Sequence, residues 1–173
     1  VLIRLYQKYG FDFLNKLNGM FSFCIYDMKK DLCFCARDRY GKKPFFYYFK
    51  DNKFIFSSSV KSILNLLDYK PNLNKVALSK YMQYFVSFGE DSFYQDIFKL
   101  EASTYLIYES NKSRELQKKK YYKINTYKAI KDEKQALNDI EELLFKSVEY
   151  RLNSDVEVAS FLSGGIDSSL ISA

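Results

Sequence analysis

Apolar residues recur along this chain with two different periods, and the changes of period mark out its elements. Val1, Leu2, Leu5 and Tyr6 have the spacing of one helix face, and Gly10 follows as a stop. Residues 11–17 read as a second short helical segment. Residues 20–26 alternate and are rich in aromatics, which predicts a strand. Asp27-Met28-Lys29-Lys30-Asp31 makes a turn, and residues 32–36 return as the second strand of a hairpin. Residues 45–49 and 54–56 form another hairpin across Lys50-Asp51-Asn52-Lys53. Residues 60–67 and 75–85 read as helices on either side of a break at 68–74 around Pro71. Residues 105–108 and 120–124 are expected to pair as strands across the polar stretch 109–114. This pattern predicts a layered α+β body built mainly from antiparallel strands.

The pattern then changes. Residues 126–135 are polar and Lys-rich and form the best linker. Residues 136–152 make an amphipathic helix with Leu137, Ile140, Leu143, Leu144, Val148 and Leu152 on one face. An apolar run at 156–162 predicts a strand, which delivers the chain to Ser163-Gly164-Gly165-Ile166-Asp167-Ser168-Ser169 and a further helix. Helix, strand, loop and helix in that order predict the opening of a second, α/β domain with a parallel sheet. No internal repeat or low-complexity tract interrupts the chain.

Composition narrows the chemistry. Hydrophobic residues at 47% and charged residues at 28% are ordinary for a globular chain and exclude disorder. Lys and Arg number 27 against 21 Asp and Glu, so the net charge is 27 − 21 = +6. Apart from Lys118-Lys119-Lys120 the cations are scattered, which argues against a nucleic-acid partner. The mild excess fits a solvated surface and would also welcome a small anionic ligand. Sixteen Tyr, 16 Phe and no Trp are background composition. The absence of His excludes a His general base, a His-relay triad and a His-ligated metal from this stretch. The thiols are Cys24, Cys33 and Cys35, an odd set that predicts reduced cysteines in the cytoplasm. Cys33-Phe34-Cys35 lacks the C-x-x-C spacing of redox and zinc sites, and its alternation puts both thiols on one strand face as buried, inert groups. No apolar run approaches the ~18 residues of a membrane span. The chain opens on Val1 and ends in the apolar turn Leu170-Ile171-Ser172-Ala173, so truncation at both ends is expected.

The segment Ser163–Ser169 carries the most chemistry. Gly164 and Gly165 lack Cβ atoms, so the backbone can turn tightly and approach a ligand. A helix opening near Asp167–Ser169 aims free N–H groups and its positive dipole end at the same place, and the Ser168 and Ser169 hydroxyls add donors. The product is a phosphate-sized anion cradle at the carboxyl end of a strand. The Gly-x-x-x-x-Gly-Lys spacing of a Walker A loop is absent. Asp167 is the odd residue in an anion site. Two roles stand side by side: a Mg²⁺ ligand set against pyrophosphate, or a cap on the helix. The plainer alternative for the whole segment is an ordinary Gly-rich turn.

The segment resembles the pyrophosphate-binding loop of the ATP pyrophosphatases, which cleave ATP between its α and β phosphates and adenylate a substrate. Similar loops occur in GMP and NAD synthetases and in tRNA-thiolating enzymes. Upstream segments narrow the family. Leu17-Asn18-Gly19-Met20-Phe21-Ser22-Phe23, Tyr26-Asp27, Ala36-Arg37-Asp38-Arg39-Tyr40-Gly41-Lys42-Lys43-Pro44 and Phe56-Ser57-Ser58-Ser59 resemble the later part of a class-II glutamine amidotransferase domain. Their order and spacing, with Leu152-Asn153-Ser154-Asp155-Val156 ahead of the loop, resemble the glutamine-hydrolysing asparagine synthetases over nearly the whole chain. Ser59 stands where that family usually has Glu, Glu101-Ala102 where it has Pro-Gly, and Glu157 and Ala159 where it has Pro and Gly.

The resemblance implies an N-terminal-nucleophile amidotransferase domain, antiparallel and layered, at 1–128, and the start of an adenine-nucleotide-hydrolase-like synthetase domain at 129–173. It implies glutamine, aspartate and ATP as substrates, Mg²⁺ as cofactor, a cytoplasmic location, a homodimeric parent, and no nucleic-acid or membrane partner. Ser163, Gly164, Gly165, Ser168 and Ser169 would hold pyrophosphate, Asp167 would hold Mg²⁺, and the Leu162 backbone would lie near the adenosine. No catalytic residue is assigned, because the family's Cys nucleophile is expected before Val1, so 1–173 alone is expected to be inactive. Arg37-Asp38 reads as a buried pair pinning the Gly/Pro turn, with Gly41 supplying a permissive φ. Two rivals remain: another amidating ligase of the same architecture, acting on a sugar or peptide carboxylate or resembling a β-lactam synthetase, and a non-catalytic remnant that binds nucleotide or a partner protein.

Overall fold

A computed structural model describes residues 1–109, 116–125 and 132–173. The chain divides into two compact units, Val1–Ile124 and Asn125–Ala173.

The first unit is α+β and holds two antiparallel sheets. Its opening helix α1 (Leu2–Tyr9) stops at Gly10, whose φ of 58° suits a residue without Cβ. A 3-10 helix, Gly10–Lys16, follows it. The first sheet has the order β1-β2-β6-β7, with β1 Ser22–Asp27, β2 Leu32–Arg37, β6 Thr104–Glu109 and β7 Gln117–Lys120. The second has the order β4-β3-β5, with β3 Phe46–Lys50, β4 Lys53–Ser57 and β5 Ile97–Lys99. Both hairpins foreseen from alternation form. In the first, the Asp27 carboxylate accepts from the N–H groups of Lys29 and Lys30. In the second, Asp51 and Asn52 both take positive φ, the backbone of a tight two-residue turn.

The period of two along β2 sorts its side chains into separate cores. Leu32, Phe34 and Ala36 pack with Tyr6, Phe13 and Leu14 from the helical opening. Cys33 and Cys35 point the other way, into a core shared with Phe45, Tyr47, Leu100 and Leu106. On the far face of the second sheet, Tyr48 and Ile97 bury Ile63 of α2 (Val60–Leu64). The layers therefore run helix, sheet, sheet, helix. Phe34 lies at the centre of the first core, fully buried, with the rings of Tyr6, Phe11 and Tyr105 at 5.7, 4.8 and 5.5 Å. Phe34→Ala is expected to destabilise this unit by about 3–5 kcal/mol through lost burial and a persisting cavity. A lowered urea midpoint with an unchanged slope would register it.

One expected strand shifts and one strand was not foreseen. The strand placed at 120–124 is β7, which starts three and ends four residues earlier in the chain and is wholly exposed. Tyr121 and Ile124 carry the β-propensity, but the ladder ends when the Tyr121 N–H turns to the Ser103 carbonyl at 2.8 Å. The Lys side chains of β7 suit an edge strand, where they deter further pairing. The three-residue β5 is too short to show a period. α3 (Lys75–Tyr84) is capped by Asn74, which accepts from the Ala77 N–H, and ends at Phe85 in the left-handed region.

In the second unit, α4 (Glu133–Leu152) starts ahead of the expected helix because Asp132 caps it, accepting from the N–H groups of Lys134 and Gln135. None of its residues is buried. The run at 156–162 is coil, not the expected strand. A parallel strand needs neighbours for its N–H and C=O groups and both its faces, and the described residues of this unit provide none. α5 (Ile166–Ser172) closes the chain. Residues 126–131 of the expected linker and 110–114 of the expected β6–β7 loop lie outside the described residues. Among the described residues no helix is long and apolar enough to cross a membrane.

Candidate functional site

The Ser-Gly-Gly loop lies at the N-terminus of α5. Gly164 has a φ of 79°, and Gly165 is the N-cap with extended backbone. The Ser163 and Ser168 hydroxyls lie 3.0 Å apart, and Ser168 Oγ donates to the Gly165 carbonyl at 3.1 Å. Those two bonds fold the loop back on the helix start. Ser160 and Ser172 hydroxyls, 2.6 Å apart, tie the preceding coil to the last turn. The first-turn N–H groups of Ile166, Asp167 and Ser168 have no intrahelical acceptor, and no side chain caps them. Asp167 is the second helical residue, so it is not the cap. Its carboxylate sits in the first turn, where the helix dipole favours negative charge. Leu162 is 65% exposed, and Ser163, Gly164, Gly165, Asp167 and Ser169 are exposed as well.

In the first unit a buried corner joins the end of β2 to four other segments. Arg37 donates from Nε to the Lys43 carbonyl at 2.7 Å and from its two terminal nitrogens to the carbonyls of Leu100 and Gly41, each at 2.6 Å. Asp38, 1% exposed, accepts from the N–H groups of Phe21, Tyr40, Lys42 and Lys43 at 2.9–3.3 Å. Burial alone would raise its pKa, but these four donors hold it below the usual carboxylate range. Burial lowers the pKa of Arg37, and the neighbouring Asp38 opposes that shift. The two side chains pin the turn as expected, yet each does so through backbone groups, and no ion pair joins them among the described residues. Gly41 has a φ of 63°, and a Cβ there would meet Arg37 Cζ at 3.1 Å and Ala102 Cβ at 3.2 Å. The turn at Glu101-Ala102 closes through Ser103, whose φ is 59° and whose N–H donates to the Asp38 carbonyl. Tyr121 locks the corner by donating to the Arg37 carbonyl at 2.9 Å. Sequence reasoning missed Ser103 and Tyr121, because partners 64 and 84 residues away in sequence leave no local pattern.

The glutamine amidotransferase domain family matches residues 1–122, and the asparagine synthase family matches 139–173. The chain belongs to the glutamine amidotransferase domain family. A Methanocaldococcus jannaschii protein, provisionally named glutamine-hydrolyzing asparagine synthetase 2, is 45% identical over 99% of this chain and 33% of its own length. Glutamine-hydrolyzing asparagine synthetase 3 of Bacillus subtilis is 32% identical over 100% of this chain and 28% of its own. Amidase chry2 of Gibberella zeae is 33% identical over 99% of this chain and 25% of its own. The chain thus spans a quarter to a third of the length of these relatives. Within this amidotransferase family member, the Arg37–Asp38 corner is scaffold: every polar atom it uses is spent on its own backbone.

The loop's donor set can be weighed against a magnesium polyphosphate. Three free N–H groups and the Ser169 hydroxyl offer donors to phosphate oxygens, and a Cβ built at Gly164 meets nothing within 4 Å. Among the described residues no group of three or more His, Cys, Asp or Glu could hold a metal ion. Asp167 alone therefore fits Mg²⁺ only where the phosphates supply further oxygens, the usual habit of that ion.

Proposed function

We propose that the protein carrying this chain is an ATP-dependent, glutamine-hydrolysing asparagine synthetase. Residues 1–128 belong to the domain that releases ammonia from glutamine, and residues 129–173 open the domain that uses it. There ATP activates the side-chain carboxylate of aspartate as an acyl-adenylate and releases pyrophosphate. Ammonia then attacks the acyl carbon to give asparagine and AMP. The reading rests on one observation: an amidotransferase match and an asparagine synthase match follow each other along one chain, and the second contains a Ser-Gly-Gly loop with free N–H groups at a helix start. In this reading Ser163, Gly164, Gly165, Ser168 and Ser169 bind pyrophosphate and the Leu162 backbone lies by the adenosine. Asp167 orients Mg²⁺, which would neutralise charge on the departing pyrophosphate.

Asp167→Asn in the intact protein tests it. Aspartate-dependent ATP–pyrophosphate exchange should fall by about 100-fold, the scale of losing one electrostatic contact to a developing charge. Glutamate release from glutamine should persist. Exchange at the parental rate would remove Asp167 from metal binding and leave it as a first-turn carboxylate.

A second reading keeps the same architecture but amidates a different carboxylate; two of the relatives are named amidases and not asparagine synthetases. Exchange stimulated by another carboxylic acid and not by aspartate would select it.

A further inference from the structure

Three thiols meet on the face of β1 and β2 that looks into the core between the two sheets. Cys24 and Cys35 are direct partners in the antiparallel register, and Cys33 lies two residues along the same strand face. Cys35 is fully buried, whereas Cys24 and Cys33 are half-buried. The expectation that the thiols are buried therefore holds fully for Cys35 and only in part for Cys24 and Cys33. The mechanism proposed above uses none of them.

We infer that Cys24 is an oxidisable modification site, at which a peroxide converts the thiol to a sulfenic acid and Cys35 closes a disulfide across β1 and β2. Register decides the partner. Directly opposed residues in an antiparallel pair have Cα atoms about 4.5–5.5 Å apart, inside the roughly 4.4–6.8 Å that a disulfide spans. The diagonal neighbour Cys33 is at about 7–8 Å, beyond the reach of a bridge without backbone movement. Exposure decides which sulfur reacts first. Cys35 cannot meet an oxidant, and its thiol is pushed well up by its bond to Cys24 and by burial. Burial pushes Cys33 up to about 11. Cys24 moves the other way, because the Cys35 thiol donates to its sulfur, and burial only partly offsets this.

The chemistry balances. The Cys24 sulfur attacks hydrogen peroxide, an S–O bond forms, the O–O bond breaks, and hydroxide leaves with the thiol proton as water. The Cys35 sulfur then attacks the Cys24 sulfur, an S–S bond forms, the S–O bond breaks, and the hydroxide leaves as a second water with the Cys35 proton. Two electrons pass from the thiol pair to the peroxide. The bond closes next to Leu100, whose carbonyl receives Arg37, and so bolts the hairpin beside the buried corner.

The test exposes the intact protein to hydrogen peroxide, then denatures, alkylates, digests with trypsin and maps the peptides. Cleavage after Lys29 and Lys30 separates Cys24 from the peptide holding Cys33 and Cys35, and fragmentation of that peptide distinguishes the two. Expected is a Cys24–Cys35 cross-link that dithiothreitol reverses, with Cys33 recovered alkylated. Cys33→Ser should leave the cross-link intact, and Cys24→Ser should abolish it. A Cys24–Cys33 bond would overturn the register argument. Cys24 recovered as sulfinic or sulfonic acid with Cys35 alkylated, or three thiols still alkylatable after peroxide, would overturn the site itself.

Discussion

Replacing Asp38 by Ala is expected to cost the first unit about 3–5 kcal/mol, the order reached when a buried charged network loses one member. The reason is local and countable. The carboxylate satisfies the N–H groups of Phe21, Tyr40, Lys42 and Lys43, and Ala would leave all four without an acceptor beside a residue that is 1% exposed. Each buried donor left unpaired carries a penalty of about 1–3 kcal/mol, discounted where water enters. Asp38→Asn should cost less but still weaken the corner, because its amide nitrogen would face two of the donors. The charge also sets a pH dependence. The folded pKa of Asp38 is depressed, so the stability it contributes is fully present above the unfolded value of about 3.9 and is lost as pH falls through the folded value. Urea unfolding at neutral pH and again below pH ~3 should therefore show the gap between parent and Asp38→Asn narrowing with acid. An Asp38→Ala protein with the parental urea midpoint would show that the corner is not what holds the sheets together.

The polypeptide 1–173 on its own is expected to release no pyrophosphate from ATP above the uncatalysed background. Anion binding by a helix start depends on preorganised donors, and among the described residues of this unit no strand lies behind the loop. Phe161 is 98% exposed, Val156 76% and Leu162 65%, so the run that leads into Ser163 rests on no sheet. Along α4, Leu137, Ile140 and Leu143 are each more than half exposed. Unburied apolar groups of this kind contribute no stability and invite association. The hydroxyl contacts that fold the loop are all exposed, so solvent competes with each of them. The assay is pyrophosphate release with purified 1–173, Mg²⁺, ATP and aspartate. Turnover that copurifies with this chain and disappears in Asp167→Asn would mean that the loop keeps its geometry without a sheet.

Much of the first unit was legible along the chain. Alternation in residues 20–26 and 32–36 marks β1 and β2, and the Asp-Asn pair between β3 and β4 marks a turn that needs two positive φ values. Gly10 ended the first helix where a positive φ was required. These features are local: period two, period 3.6 and backbone permissiveness act within a few residues. The Ser-Gly-Gly segment was legible for the same reason, since a turn without Cβ atoms ahead of a helix start is written in seven consecutive residues.

What tertiary structure decided lies in partners distant along the chain. Alternation placed Cys33 and Cys35 on one face but could not say which core they enter, nor that Cys24 comes opposite Cys35, because register depends on pairing between strands. The pair Arg37-Asp38 announced a pinned turn, while its acceptor at Leu100 and its lock at Tyr121 come from segments that only folding brings near. The run at 156–162 has the composition of a strand and is coil, since propensity sets what a segment prefers and a neighbouring strand decides whether its N–H and C=O groups are met. Sequence alone therefore determined the elements whose signals are local, including the Gly-Gly turn ahead of the last helix. Only the tertiary structure determined the register, the corner and the thiol cluster, because hydrogen-bond partners and burial are properties of the assembled layers.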